Sequence, residues 1–454
     1  MKGAQNILQL VYKKVEKVPA IAILDIGKTN KKLVVFDPDY RVLLEHSKQI
    51  AESTDEDGFP CEDLISLNRW VDSALTIAQQ DSGAEIKALN FSAYGASLVH
   101  IDKSGNVWGH LYNYLKPFKE EWRAHFESNH QLITRLAMET ASPDLGSLNS
   151  GMQLYRLSAF NPEYRRSVLY SLHLPQYLCW HFSGRAVSEI TSIGCHTMMW
   201  DFDHQDYHGW IKNEKLLSYL APLHKGERPV TPLNTATGII YGTGLHDSSS
   251  ALIPYIRMGG EKFIVVSTGT WSISLNPFNH EPLTAEELAS DCLSYLSYQG
   301  NPVKASRYFI GPLHEQILDK IRNHFHRVPD LSSLRFIKEW FDPDHKLSDL
   351  THYSSAEEAY HRLMWPLMID QKKSIELCMG KGLIQKICVD GGFSRNGVFL
   401  QMLAQLFPEC DVYAAAVHQA SAVGAAMILE GVWNPDPPAI GVVELRYIPR
   451  LRNL

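Results

Sequence analysis

The chain has 454 residues, 45% hydrophobic, 20% charged and 10% aromatic, with 43 Lys and Arg against 50 Asp and Glu for a formal charge of −7. Intrinsic disorder needs low hydrophobicity and high net charge, so this composition excludes it for most of the length. The clustered basic excess of a nucleic-acid binder is also missing, and the length predicts two or three domains.

The N-terminal stretch carries Lys2, Lys13, Lys14 and Lys17 with no long apolar core before Lys13, and does not read as a signal peptide. The first clear element is Ala20 to Asp25, a short apolar run that reads as a buried strand. A turn at Ile26 to Asn30 leads into a second strand, Lys32 to Phe36. After Asp37-Pro38-Asp39, Arg41 to Ser47 makes a third, so the chain opens as an antiparallel meander. Leu67 to Gln80 has helical periodicity, and Ile86 to Ser92 is another buried strand, ending at Ala93-Tyr94-Gly95-Ala96. Leu98 to Asp102 continues as a strand, and residues 116–185 read as mainly helical. A meander followed by alternating helices and strands argues for an α/β fold.

The second half begins in the same way. Phe263 to Ser267 is an apolar strand, Thr268-Gly269-Thr270 a turn, and Trp271 to Leu275 a strand. Gly269 falls 242 residues after Gly27, which raises the possibility of a duplication. Cys292 to Arg362 shows no clear period. Ile384 to Asp390 is a strand running into Gly391-Gly392, and Val398 to Phe407 and Ser421 to Glu430 read as helices. Pro435 to Pro438 is expected to close the ordered core.

Seven scattered cysteines without a CxxC pair argue against a disulfide framework or structural zinc, and favour a reducing cytoplasm. No apolar run reaches the roughly 18 residues of a membrane span. Neither nucleic acid nor membrane is expected as a partner, and the chain is expected to be a monomer or homodimer.

Gly27-Lys28-Thr29 invites a P-loop reading, but a Walker A needs a glycine where Ala22 stands, inside a strand. A hairpin turn can still hold phosphate through consecutive N–H groups, with Lys28, Thr29, Asn30 and Lys32 adding donors. Asp25, at the end of a buried strand, suits Mg²⁺ held through water. His246-Asp247-Ser248 opens a helical stretch, where Asp247 reads both as an N-cap and as a general base at a domain junction. Gly391-Gly392-Phe393-Ser394-Arg395-Asn396 sits between a strand and a helix, where a flat ligand or phosphate can approach the backbone.

In this order, these elements resemble the FGGY family of carbohydrate kinases, over about residues 20–432. Leu174-Pro175-Gln176-Tyr177-Leu178, Phe182-Ser183-Gly184 and the run from Glu189-Ile190-Thr191 through Thr197 to Asp201 are similar to its most specific, non-catalytic motifs. His246 to Ala251 and Ser267 to Ser272 resemble the rhamnulokinase branch. The resemblance implies two ribonuclease H-like domains of the actin/hexokinase superfamily with an interdomain active-site cleft. The domains are expected at 19–249 (sugar-binding) and 250–440 (nucleotide-binding). It further implies Asp247 as catalytic base and Asp25 at the metal. The Asp25 to Lys32 and Thr268 to Thr270 turns become the phosphate hairpins, with Gly391, Gly392 and Asn396 at adenosine. Tyr94, Gly95, Ala96, Ser97 and His246 fall at the sugar. Where many members carry D-x-R, this chain has Tyr112 to Lys116, so Tyr114 and Lys116 are expected to replace that pair. The expected activity is ATP- and Mg²⁺-dependent phosphorylation of a small ketose such as L-rhamnulose or L-fuculose. Another sugar, a polyol, a sugar acid, or a silent actin-like binding protein are the alternatives.

Overall fold

The computed structural model describes residues 17–341, 350–438 and 442–451. Lys2, Lys13 and Lys14, and positions 439–440 of the expected second domain, lie outside them.

The chain opens with β1 (Pro19–Ile26), β2 (Asn30–Phe36) and β3 (Val42–Gln49), the expected antiparallel meander. Helix α1 (Leu64–Asp81) follows, started by Asp63, whose carboxylate accepts from Ser66 N. Then β4 (Glu85–Ala93) pairs parallel with β1. Much later β5 (Ile240–Tyr241) and β6 (Leu245–His246) pair parallel with β4. The first sheet therefore runs β5-β4-β1-β2-β3.

Helix α2 (Asp247–Met258) crosses to the second half, where β7 (Phe263–Thr268) and β8 (Ser272–Asn276) form the second hairpin. β9 (Cys292–Leu296), β10 (Pro302–Tyr308), α3 (Ile310–Phe325) and α4 (Ala356–Met379) come next. β9, β10, α3 and the first turns of α4 occupy the stretch in which the sequence showed no period. The strand β11 (Lys386–Gly391), α5 (Gly397–Leu406), β12 (Asp411–Ala416), α6 (Ala420–Met427) and β13 (Glu444–Ile448) complete the half. The second sheet runs β9-β10-β8-β7-β11-β12-β13.

Its inner five strands repeat the first sheet: an antiparallel β10-β8-β7 meander, then β11 and β12 added in parallel. This shared order gives the 242-residue spacing of Gly27 and Gly269 its cause. β9 and β13 are additions at the two edges. β13 follows Pro435 to Pro438, so that proline-rich stretch does not close the ordered core. The stretch 116–185 is helical, as expected, except for Val168–His173, which pairs antiparallel with Leu98–Asp102.

β1 is buried on both faces, so it reads as a continuous apolar run. Ala20, Ala22, Leu24 and Ile26 pack with Leu67, Trp70 and Val71 of α1. Ile21 and Ile23 face the other way, into a cluster with Leu252 and Ile253 of α2, Ala422 and Ala425 of α6, and Phe263 and Val265 of β7. One core thus runs from the first sheet through α2 and α6 to the second. The two helices meet at Gly424, where a Cβ would stand 1.9 Å from Ser250 O. The expected domain boundary at 249/250 falls inside α2. All seven cysteines are free thiols and buried. Among the described residues no helix is long and apolar enough to cross a membrane.

Candidate active site

The β1–β2 turn is closed by Gly27 N donating to Asn30 O at 2.9 Å. The residues expected to offer donors there divide. Thr29 is exposed, and Asn30 Oδ1 accepts from Gln49 Nε2 at 3.1 Å. Lys28 Nζ pairs with Glu52 at 2.5 Å, and Lys32 Nζ donates to Gln419 Oε1 at 2.9 Å. The sequence reading missed Lys31. It is 0% exposed beneath the turn, with Nζ 3.2 Å from Gly27 O, 2.9 Å from Lys28 O and 2.7 Å from Glu62 Oε1. Strand alternation sends one of two adjacent lysines inward, but its carboxylate partner lies in a distant loop.

The second hairpin repeats the turn, with Gly269 N donating to Trp271 O at 2.8 Å. Thr268 Oγ1 donates to Asp390 O at 2.5 Å and accepts from Phe393 N at 3.0 Å, which fastens the β11 loop to the hairpin. Gly391, at φ +80, leaves no room for a Cβ, which would fall 2.0 Å from Thr268 O. Beside this junction opens a cavity of about 720 Å³, lined by Gly269, Thr270, His314, Gly392, Phe393 and Asn396. Its volume suits a nucleoside-sized ligand. Asn396 is also a structural cap: Oδ1 accepts from Phe399 N at 3.1 Å, and Nδ2 donates to Tyr360 OH at 2.6 Å.

Asp247 is the first residue of α2, and the N-cap position before it belongs to His246. The N-cap reading of Asp247 is therefore corrected by one residue. Its Oδ1 accepts from Ser248 N at 2.6 Å, and a third of its side-chain surface remains open. Ser267, Asp390 and Ser421 join it around a smaller cavity of about 180 Å³ between the halves. Ser421 Oγ in turn donates to Asp25 Oδ2 at 2.9 Å. Burial, then the charge of Asp247, push Asp25 up to about 6, against the hydrogen bond from Ser421. Burial pushes Asp247 up to about 6 as well. Asp390 is a second residue missed from sequence; Tyr255 OH donates to its Oδ2 at 2.9 Å.

The motifs that carried the family resemblance act as supports. Gln176 Nε2 donates to Gly244 O at 2.9 Å, and Thr191 Oγ1 accepts from His246 N at 3.0 Å. Thr191 is itself held by Glu189 Oε2, which accepts from Thr191 N at 2.9 Å. They fix the β6–α2 corner that presents Asp247. Burial pulls the His246 imidazole down to about 3, so it is neutral at pH 7. Its Nε2 lies 3.2 Å from Asp247 Oδ1 and 3.1 Å from Cys195 Sγ.

The loop after β4 meets this corner. A Cβ on Gly95 would stand 3.0 Å from the His246 ring. Ala96 sits at φ +65, and its carbonyl accepts from Gln153 Nε2 at 2.7 Å. Ser97 Oγ donates to Tyr112 O at 3.4 Å. Tyr94 packs edge-on against Tyr114 at 5.9 Å, and its OH donates to Glu62 Oε2 at 3.3 Å. Burial, then the Asp247 charge, raise the Tyr114 phenol above its usual range. Lys116 is not a free cation: Nζ lies 2.6 Å from Asp55 Oδ2 and 2.5 Å from Asp57 Oδ2, and the side chain is buried. Trp271, another aromatic near the hairpin, packs against Phe309 with the rings tilted by 46° and their centroids 4.5 Å apart.

Two like-folded halves, each bringing a glycine hairpin to a shared cleft with carboxylates between them, define a two-lobed phosphotransferase. The comparisons give that class its family. The N-terminal domain model of the FGGY carbohydrate kinases matches residues 20–230, and the C-terminal domain model matches 314–429. The chain belongs to the FGGY family of carbohydrate kinases and is a sugar kinase. A carbohydrate kinase from Novosphingobium aromaticivorans is 25% identical at a TM-score of 0.77, covering 96% of this chain and 95% of that one. A xylulose kinase from Lactobacillus acidophilus (13% identical, TM-score 0.73) covers 92% and 90%. A gluconate kinase from the same organism (14%, TM-score 0.71) covers 93% and 91%. These two share the fold. No curated protein matches the sequence at a significant level.

Proposed function

We propose that this sugar kinase transfers the γ-phosphate of ATP to a hydroxyl of a small neutral sugar, with Asp247 as the base. The observation that carries the reading is the place of Asp247. It opens α2 at a cavity shared with Ser267 at the end of β7 and with Ser421, which binds Asp25. Bound MgATP supplies the phosphoryl group that the deprotonated hydroxyl takes. Asp247 accepts the proton of that hydroxyl on its carboxylate. A pKa pushed up to about 6 leaves it deprotonated at neutral pH yet basic enough to take a proton. The hairpins and the Gly391-Gly392 loop orient, which is most of what phosphoryl transfer asks of a protein.

The residues present fit nucleotide and metal. The large cavity beside Gly269 and Gly392 takes adenosine. Asp25 is a carboxylate strained by a second negative charge, and a divalent cation relieves such a donor set. Among the described residues no group of three or more metal-ligating side chains forms, so Asp25 with phosphate oxygens and water would hold Mg²⁺. The division into a sugar-binding half (19–249) and a nucleotide-binding half (250–440) belongs to this proposal.

The residues assigned to the substrate end, Tyr94, Gly95, Ala96, Ser97, Tyr114 and neutral His246, carry no charge themselves, and the charged groups beside them, Glu62 at Tyr94 and Asp247 at His246, are carboxylates. Lys116, the group that left a sugar acid open, is spent on Asp55 and Asp57. That favours a neutral ketose or polyol over an aldonate. L-Rhamnulose or L-fuculose is the first choice on the likeness of His246 to Ala251 and Ser267 to Ser272 to the rhamnulokinase branch. A coupled ADP-release screen over ketoses, aldoses, polyols and sugar acids tests this. Turnover confined to neutral substrates is expected. Preference for a sugar acid overturns the neutral-site reading, and sugar-independent ADP release overturns the kinase reading.

A further inference from the structure

Lys31 is fully buried under the first hairpin, and the phosphoryl-transfer reading leaves its chemistry unused. An ammonium has three protons, and here all three have acceptors: Gly27 O, Lys28 O and Glu62 Oε1. Two of these are carbonyls of successive residues in the turn. A trans peptide is planar, with its C=O and N–H pointing in opposite directions. Drawing the Gly27 and Lys28 carbonyls down onto the ammonium therefore turns the N–H groups of Lys28 and Thr29 up, away from the core. Consecutive outward N–H groups form an anion nest.

The same ammonium reaches the sugar side. Its partner Glu62 is 4% exposed and accepts from Tyr94 OH at 3.3 Å. Tyr94 N, at the start of its loop, donates to Ile26 O at 3.1 Å, one residue before Gly27. Glu62 also lies 4.0 Å from Lys28 Nζ. One buried carboxylate thus joins the turn to the loop opposite His246.

We propose that Lys31 is a positioning residue for phosphoryl transfer, aiming the Lys28 and Thr29 amides at the terminal phosphate and tying the hairpin through Glu62 to the Tyr94 loop. This rests on the kinase reading above. Replacing the ammonium by a neutral chain of similar length frees both carbonyls to rotate, and the nest loses its aim. The adenosine cavity lies in the other half and does not touch Lys31.

The test is calorimetric titration of the full chain with adenosine and, separately, with the non-hydrolysable ATP analogue AMP-PNP plus Mg²⁺. Wild type is expected to bind AMP-PNP more tightly than adenosine. Lys31→Met is expected to bind adenosine as wild type does and AMP-PNP at least tenfold more weakly. AMP-PNP binding within twofold of wild type, with adenosine binding intact, overturns the proposal. Should Lys31→Met lose adenosine binding through misfolding, Glu62→Gln decides. It keeps the shape but removes the charge, and a three- to tenfold weakening confined to AMP-PNP is expected. No weakening in Glu62→Gln overturns the proposal. A wild-type chain that binds neither ligand overturns the kinase reading itself.

Discussion

The charge of Asp247 on the crossover helix acts directly on Asp25 at the end of the first strand. Burial first, and that charge second, push the Asp25 carboxyl up to about 6. This charge interaction links the first strand to the helix that leaves the first half. On the proposed mechanism, it sets the carboxylate that would hold the metal beside the one that would take the proton.

Asp247→Asn keeps the size and the Ser248 hydrogen bond but cannot accept the proton. We expect kcat to fall on the order of 10²–10⁴-fold, with sugar affinity changed far less. Steady-state ADP release and sugar titration measure the two separately. Near-wild-type kcat would remove Asp247 from the base role.

The two acids also set a pH dependence. With Asp247 as the proposed base, turnover would need it ionised, so kcat/KM should rise through pH 6 and level off above it. Stability runs the other way. A carboxyl whose folded pKa lies above its unfolded value stabilises below the unfolded value, and loses that as pH rises through the folded one. Asp25→Asn should therefore be more stable than wild type at pH 7.5, by roughly 1 kcal/mol after allowance for water in the cleft, and gain nothing at pH 3.5. Urea melts at both pH values check the sign.

Gly95→Ala places a methyl 3.0 Å from the His246 ring and 3.1 Å from Cys195 Sγ. Both neighbours are buried, so the ring must move, and Asp247 follows it in sequence. A stability loss of about 1–3 kcal/mol and a fall in kcat of roughly tenfold or more are expected. An unchanged kcat would show that the His246 ring does not set the geometry of the base.

Lys116→Met leaves Asp55 buried without its cation. Removing one partner of a buried pair costs about 3 kcal/mol. The order of preference among neutral sugars should stay as in wild type, because Lys116 faces Asp55 and Asp57. Thermal melting and the substrate screen read the two effects. A changed sugar preference at unchanged stability would make Lys116 a substrate ligand after all.

Period and punctuation were enough for the skeleton. β1 announces itself because it is apolar on both faces, and α1 because Trp70, Ala74, Ile77 and Ala78 fall near one side. The two glycine turns were legible because each follows an apolar strand and is followed by another. β10 was not, since the polar residues Lys304 and Ser306 sit buried inside a strand that pairs on both edges. β13 was hidden for a similar reason: it is an edge strand, mostly exposed, so it lacks an apolar run.

Sequence alone determined the strand–glycine–strand hairpins, their repetition and the family motifs, because backbone conformation and burial leave a local trace in residue type. Only the tertiary structure decided which charges are free. Lys28, Lys32 and Lys116 looked available from sequence, but Glu52, Gln419, Asp55 and Asp57 hold them. Lys31, which drew no notice, is the one buried beneath the first turn. Ion pairing depends on distances between residues far apart in the chain, and a linear pattern carries no record of them.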